Sequence, residues 1–443
     1  MKKGLFLGAI ACFGLAIASM AQVKEGAPDI KYRRSSLHTI LMESDNFPHK
    51  DTVIKAYNNA PFPDKYNDHR IAAKSFDPTK YPVTNEDRDA AGKKHGVMGN
   101  MFKGLASQAT AGIVDSTASD VPLIINKYFN DAKVANQMVA KWFDRQEDGS
   151  FDMNLIGARG SYDASEMQAN IAKGSARGTA SLADAGEELI KNTFVVVSRM
   201  NFVTNEIVAA KIRDFAKAKA AEIKIPMLQA AAITAADLAY DKAKEGYSVW
   251  TTSYLYKLVW NDSVAAVFYS DLWFDKANPN PQKKEAFDKT DLFQLEYVGD
   301  EKATSLVLFS LKEKRTEDQI ITLATIRNID AVFAKLQKKY DEFKTKTPLF
   351  TGNPITAKIG MKEGLEGGEK FVVLEQTLDP KTGLTKYVTK GNITVDKKLI
   401  WDNRYNAGED PVAEGEEAKP VLDRTTFKGG DKYYSGLLIK QLK

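Results

Sequence analysis

Apolar residues fall into three spacings along this chain: one unbroken run at the start, helical stripes through the middle, and short alternating runs toward the end. The opening run, Gly4 to Ile17, follows Met1-Lys2-Lys3 and precedes Ala18-Ser19-Met20-Ala21. Basic flank, short apolar core and small residues before a break are the pattern of a cleavable secretory signal over residues 1–21, with the mature chain beginning near Gln22. In the middle, Asp120-Val121-Pro122 can cap and start a helix, and Val134, Met138 and Trp142 recur one turn apart. Ser165 with Gln168 has capping-box spacing for a helix toward Ala172. A short helix from Leu182 to Lys191 feeds the β-branched run Thr193 to Val197, which predicts a buried strand.

Positions 208, 212, 215, 219 and 223 mark a helix from Asn205 to Ile223, and Pro226 breaks it before an Ala-rich helix reaching Lys244. Tyr254 to Trp260 and Val264 to Tyr269 flank Asn261-Asp262-Ser263, a composition that predicts a hairpin. A second hairpin is predicted between Leu292 to Val298 and Thr304 to Leu311, turning at Gly299-Asp300. Thr316 and Gln319 then form a capping-box pair ahead of one stripe, Ile329, Val332, Phe333, Leu336, Tyr340 and Phe343, that ends before Pro348. Past Pro348 short strands alternate with glycine turns, at Thr356 to Gly360, Phe371 to Gln376, Tyr387 to Val388, Ile393 to Val395 and Leu437 to Leu442, with an acidic loop from Glu409 to Glu417. The fold class expected is α+β: a helix-and-antiparallel-sheet domain over residues 95–347, then a small β-barrel-like domain over 348–443.

Residues 22–94 read differently. Prolines at 28, 48, 61, 63, 78 and 82 alternate with aromatics such as Phe47, Phe62, Tyr66, Phe76 and Tyr81. Proline at this density is expected to forbid long helices and central strands. The segment is either an extended docking arm or a loop-rich layer over the first domain. Gly92 to Gly112 looks like a junction.

Composition removes several chemistries. Hydrophobic residues make 43% and charged residues 27% of the chain, ordinary globular values. The one cysteine, Cys12, lies in the signal, so the mature chain has no disulfide, thiolate metal site or cysteine nucleophile, and the residues before Cys12 fit a lipoprotein signal poorly. Loss of Lys2 and Lys3 takes the formal charge from +4 to +2, with acids and bases interspersed, so nucleic acid is not the expected partner. No later run is apolar enough for a transmembrane helix.

Candidate sites are few. Asp144, Asp148, Gly149 and Asp152 copy part of a calcium-loop pattern, but Gln146 and Leu155 stand where further acidic ligands belong, and a hairpin turn on Asp148-Gly149 is the simpler reading. His38, His49, His69 and His95 lie among acids such as Asp45, Asp51 and Asp68 but lack compact metal-ligand spacing. Nucleophile-elbow, Walker, zincin and dinucleotide motifs are missing, so no catalytic, cofactor or metal residue is assigned. A carboxylate-pair hydrolase of glycan or peptide, which has no short motif, stays open. Trp250, Tyr254, Tyr256, Trp260, Tyr269 and Trp273 form either sheet packing or an aromatic platform for a surface glycan. Asp51-Thr52-Val53, Asp115-Ser116-Thr117 and Asp262-Ser263-Val264 each resemble acceptors of a bacterial O-glycosylation system for exported proteins.

Lys358-Ile359-Gly360, Glu363-Gly364-Leu365, Gly368 and Phe371-Val372-Val373 make a strand, glycine turn and strand that resembles the small C-terminal β-barrel of the flagellar assembly protein T type over about twenty residues. The resemblance implies a non-enzymatic role in organising an envelope structure and transfers no functional residue. The expectation is therefore an exported protein of the periplasm or outer membrane, or one released from the cell, that binds another envelope protein or a surface glycan.

Overall fold

The structure, a computed structural model, describes residues 32–92, 120–162, 188–244, 246–308, 315–379, 385–407 and 421–442. The signal segment, the junction after Gly92, His95, the Asp115-Ser116-Thr117 motif, the Ser165 to Gln168 capping box and the acidic loop lie outside them.

The α+β expectation holds, and the sheet is mixed rather than antiparallel. Strand β1 (Ser36–Met42) lies inside it, parallel to the two-residue strands β2 (Asn67–Asp68) and β3 (Ser75–Phe76) on one side and to β4 (Thr193–Thr204) on the other, from Ser36 opposite Thr193 to Met42 opposite Arg199. Antiparallel pairing continues from β4 to β5 (Gly246–Leu258) and on to β6 (Leu295–Leu308). The segment expected to be an arm or a layer thus supplies an interior strand. Its prolines flank Ser36–Met42 and none falls within it, so every N–H the ladder needs is present.

Helices cover both faces, which is why the first half of β4, Phe194 to Val197, reads as an unbroken apolar run with no polar alternation. Leu37, Leu41, Phe194, Val196 and Met200 pack on one side against α1 (Lys50–Asn58) and the long helix described below. The other side, Ile40, Val195, Val197 and Tyr256, meets α3 (Val121–Asp131) and α4 (Val134–Trp142). Two further helices, α2 (Asn85–Gly92) and α5 (Asn154–Tyr162), flank that layer.

Neither expected hairpin forms. After β5 the side chain of Asn261 accepts a hydrogen bond from the Val264 N–H at 3.0 Å and caps α8 (Asp262–Val267), which runs into a wide π-turn over Phe268–Leu272. Val264, Phe268 and Leu272 thereby reach an aromatic core with Trp142, Phe143, Phe151, Trp260 and Phe287, the last from α9 (Pro281–Lys289). Gly299 and Asp300 stay inside the continuous β6, opposite a register shift between Leu255 and Tyr256. The glycine is needed for contact: a Cβ there would lie 2.2 Å from Tyr340 Oη, which donates to the Asp300 carbonyl at 2.9 Å.

The long helix, α10 (Glu317–Lys339), is capped as expected, with Gln319 N–H bonded to Thr316 Oγ1 and Thr316 N–H to Gln319 Oε1. It ends before Tyr340 and Phe343, yet Phe343 remains in the same core, stacked on Tyr66. Six antiparallel strands then close a barrel in the order β10 (Thr385–Val395), β11 (Thr425–Lys428), β8 (Ile355–Ala357), β7 (Thr347–Gly352), β12 (Leu438–Gln441) and β9 (Lys370–Leu378). Phe371 and Val373, Ile393 and Val395, and Leu437 and Ile439 alternate into its interior. Leu374 and Leu438 face outward onto Tyr32, and Lys362 reaches Asp330 of α10 at 3.7 Å, so the barrel is seated on the body.

Candidate functional site

The most exposed apolar surface lies on two helices inserted between β4 and β5. Helix α6 (Asn205–Ala221) begins where β4 ends, and α7 (Pro226–Ala243), with its proline in the first turn, returns to β5. Ser248 Oγ of β5 donates to the buried Asn205 Oδ1 at 2.8 Å, which fixes the base. Between the helices, buried Ala209, Ala220 and Ala236 allow close approach, the Arg213 guanidinium lies 4.4 Å from the Tyr240 ring centre, and Lys217 pairs with Asp237 at 2.6 Å.

Outward, Ile207, Ile212, Phe215, Ile225, Met227, Leu228 and Leu238 are 50% to 81% exposed. On α7 the row Met227, Ala231, Ala235 and Leu238 is open to solvent, while Ala232, Ile233, Ala236 and Tyr240 lie on the more buried side. Three charges in eighteen residues leave α7 apolar around most of its circumference. Such a helix is built to be covered on more than one side. Arg213 with Asp214, Lys219 with Glu222 and Lys244 with Asp241 join Lys217 and Asp237 in pairing within the hairpin. Four ion pairs thus form within the hairpin, while exposed Lys211 and Lys224 belong to none of them.

The residues singled out from sequence sit elsewhere. Asp148 Oδ1 accepts from the Ser150 N–H and hydroxyl, and Asp152 Oδ1 accepts from the Asn154 N–H at the start of α5. Hydrogen bonds from Gln146 N–H to the Ser150 carbonyl and from Gly149 N–H to the Gln146 carbonyl close a tight turn here, but no strand flanks it, so the expected hairpin does not form. No group of three or more metal-binding side chains gathers among the described residues.

The histidines part company. His38 is buried, donates from Nε2 to the Ala73 carbonyl at 2.9 Å, and is pushed down to about 3 mainly by burial. His69 stacks on Trp142, donates to the Met138 carbonyl and accepts from Arg159, and burial holds it well below the ordinary range. Both are neutral packing groups. His49 is half-exposed in the left-handed region and bonds Asp318 Oδ1 at 2.7 Å, with Glu317 at 3.5 Å, so its imidazolium is favoured. Asp318 Oδ1 also accepts from Thr52, which occupies that motif's hydroxyl, whereas Ser263 is exposed.

The aromatic platform does not form: Tyr254, Tyr256 and Trp260 are core, Trp250 and Trp273 are half-buried, and Tyr269 alone of the six is exposed. Trp260 instead walls an open groove of about 610 Å³ with Tyr297, Lys191, Lys257, Glu296 and Glu342. The two carboxylates share it, and Glu342 is ion-paired to Lys257 at 2.6 Å. Sequence reasoning placed α6 and α7 but missed their exposure; the available signal was an apolar pattern on α7 that no single face exhausts. No protein-family model matches the chain, and no curated protein matches it. No helix among the described residues is long and apolar enough to cross a membrane.

Proposed function

We propose that this is a non-enzymatic exported protein with a structural or assembly role in the cell envelope. Its contact surface is the α6–α7 hairpin, and its partner is another envelope protein that offers an apolar helical face. The exposed apolar rows of the hairpin carry this reading. The apolar faces of both helices support an apolar protein partner; an anionic lipid surface, which exposed Lys211 and Lys224 would meet, is distinguished by the test below. Abundant alanine on α7 suits close helix-to-helix approach. The flagellar-type barrel resemblance is consistent with this role, and the barrel would act as a seat.

A photo-crosslinking residue at position 215 or 227 of the full chain, activated in the native envelope, tests it. With the residue moved to position 238, also 57% exposed, the expected adduct joins the hairpin to apolar helix residues of one envelope protein, identified by the cross-linked peptide, and is lost when Phe215→Ser and Met227→Ser are added. Adducts only with lipid, only with a second copy of this chain, or none at all would overturn the reading. A hydrolase is the second reading, favoured only by Glu296 and Glu342 sharing one groove; glycan or peptide turnover abolished by Glu296→Gln would establish it.

A further inference from the structure

The open surface of the α6–α7 hairpin is apolar with one charge set inside it. On α6, Ile207, Lys211 and Phe215 follow one another at four-residue spacing, so they form one row along the helix, and all three are exposed. Half-buried Val208 lies three positions before Lys211, and exposed Ile212 is the next residue after it. Lys211 therefore has apolar neighbours before and after it in the row and to the side.

The carboxylates of the hairpin are engaged elsewhere. Asp214 lies 2.9 Å from Arg213, Asp237 2.6 Å from Lys217, Glu222 3.0 Å from Lys219 and Asp241 2.9 Å from Lys244. Glu206 stands five positions before Lys211, about 140° away around the helix. At the tip, exposed Lys224 adjoins Ile225, with Met227 and Leu228 just beyond. A lysine at the rim of an apolar patch lays its stem on the patch and keeps its charge in water. Lys211 is bracketed by the patch, so a helix that covers Ile207 and Phe215 covers its ammonium too. An ammonium covered by hydrocarbon alone is costly, whereas a carboxylate opposite it offsets the cost and fixes the register of the two helices.

We infer that the helix docking on α6 and α7 carries an Asp or Glu within its apolar face, and that this carboxylate pairs with Lys211. The inference rests on the hairpin being the contact surface and adds the chemistry of the partner. Ten residues, about 15 Å, separate Lys211 from the end of α6 at Ala221. A second acid on the partner, about three turns from the first, would meet Lys224. Lys211 thus selects against a partner that is apolar throughout and against a helix shifted along the row.

The test uses the full chain in its native envelope with the photo-crosslinking residue at position 238, which leaves α6 intact. Lys211→Met should lower the yield of protein adduct about tenfold or more, because the partner's carboxylate is then covered and unpaired. Lys211→Arg should keep the adduct, and Lys211→Glu should abolish it. The cross-linked peptide should contain an acid in an apolar helix, and an acid-to-lysine substitution there should restore the adduct to Lys211→Glu. Melting of the purified variants, expected to match the parent for so exposed a residue, separates docking from folding. A yield unchanged or raised in Lys211→Met, or lost equally in Lys211→Arg, would overturn this inference and leave the hairpin as contact surface. A parent chain giving adducts with lipid alone, with a second copy alone, or none would overturn the hairpin reading and this inference with it.

Discussion

Strands β4 and β5 and helices α6 and α7 are one continuous stretch of chain with opposite fates for its apolar residues. Within the sheet, Phe194, Val195, Val196 and Val197 are completely buried between two helical layers. Eighteen and thirty residues beyond Val197, Phe215 and Met227 are mostly in solvent. Both regions carry large apolar side chains; what differs is how many neighbours the fold provides for them. The sheet is finished by its own chain, and the hairpin is left for something else to finish.

Substitutions can sharpen that contrast or break it. Phe194→Ala opens a hole against Phe343 and should cost about 3–5 kcal/mol in denaturant unfolding. Thr316→Ala removes one half of the capping box on α10 and should cost about 1 kcal/mol by the same measurement. Both belong to the finished region. Phe215→Ser with Met227→Ser on the open hairpin should leave stability within about 0.5 kcal/mol of the parent. A loss of several kcal/mol there would mean that the hairpin is packed within the isolated molecule, and the comparison would collapse.

The smallest effect expected concerns His49, which latches α1 to the start of α10. Its folded-state pKa is raised by the hydrogen bond to Asp318 and by Glu317. The contact is therefore fully present below the ordinary histidine range near pH 6.5, and is lost as pH rises through the higher folded value. His49→Asn, which tolerates the left-handed backbone there, should flatten the dependence of stability on pH between about 6 and 8. An NMR titration giving His49 an ordinary or lowered pKa would contradict the latch.

Much of the framework was legible. The Thr316 and Gln319 pair, the stripe through Leu336, the buried run at Thr193 to Val197 and the alternation past Pro348 all reflect periodicity that local geometry imposes. The errors have local causes too. Asn261-Asp262-Ser263 suits a turn or a helix cap equally, because the same short side chain accepts a backbone N–H in either setting. Gly299 suggested a turn, but the reason for a glycine there is Tyr340, forty-one positions later. Proline density blurred β1, since the count was taken over the whole segment and the strand lies in a gap. Exposure of α7 depends on tertiary neighbours that no window of sequence contains.

Register also dictates an order of assembly. Ser36 pairs with Thr193, and the barrel is closed by β12 between β7 and β9. The earliest interior strand must therefore wait, without its partner, until more than a hundred and fifty further residues have been made, and the barrel waits for residues 438–441. Pairings of such long span slow the search for the native state. A chain that emerges from its N-terminus would carry β1 with that edge unpaired for roughly a third of its synthesis, the interval in which a holding chaperone has the most to protect.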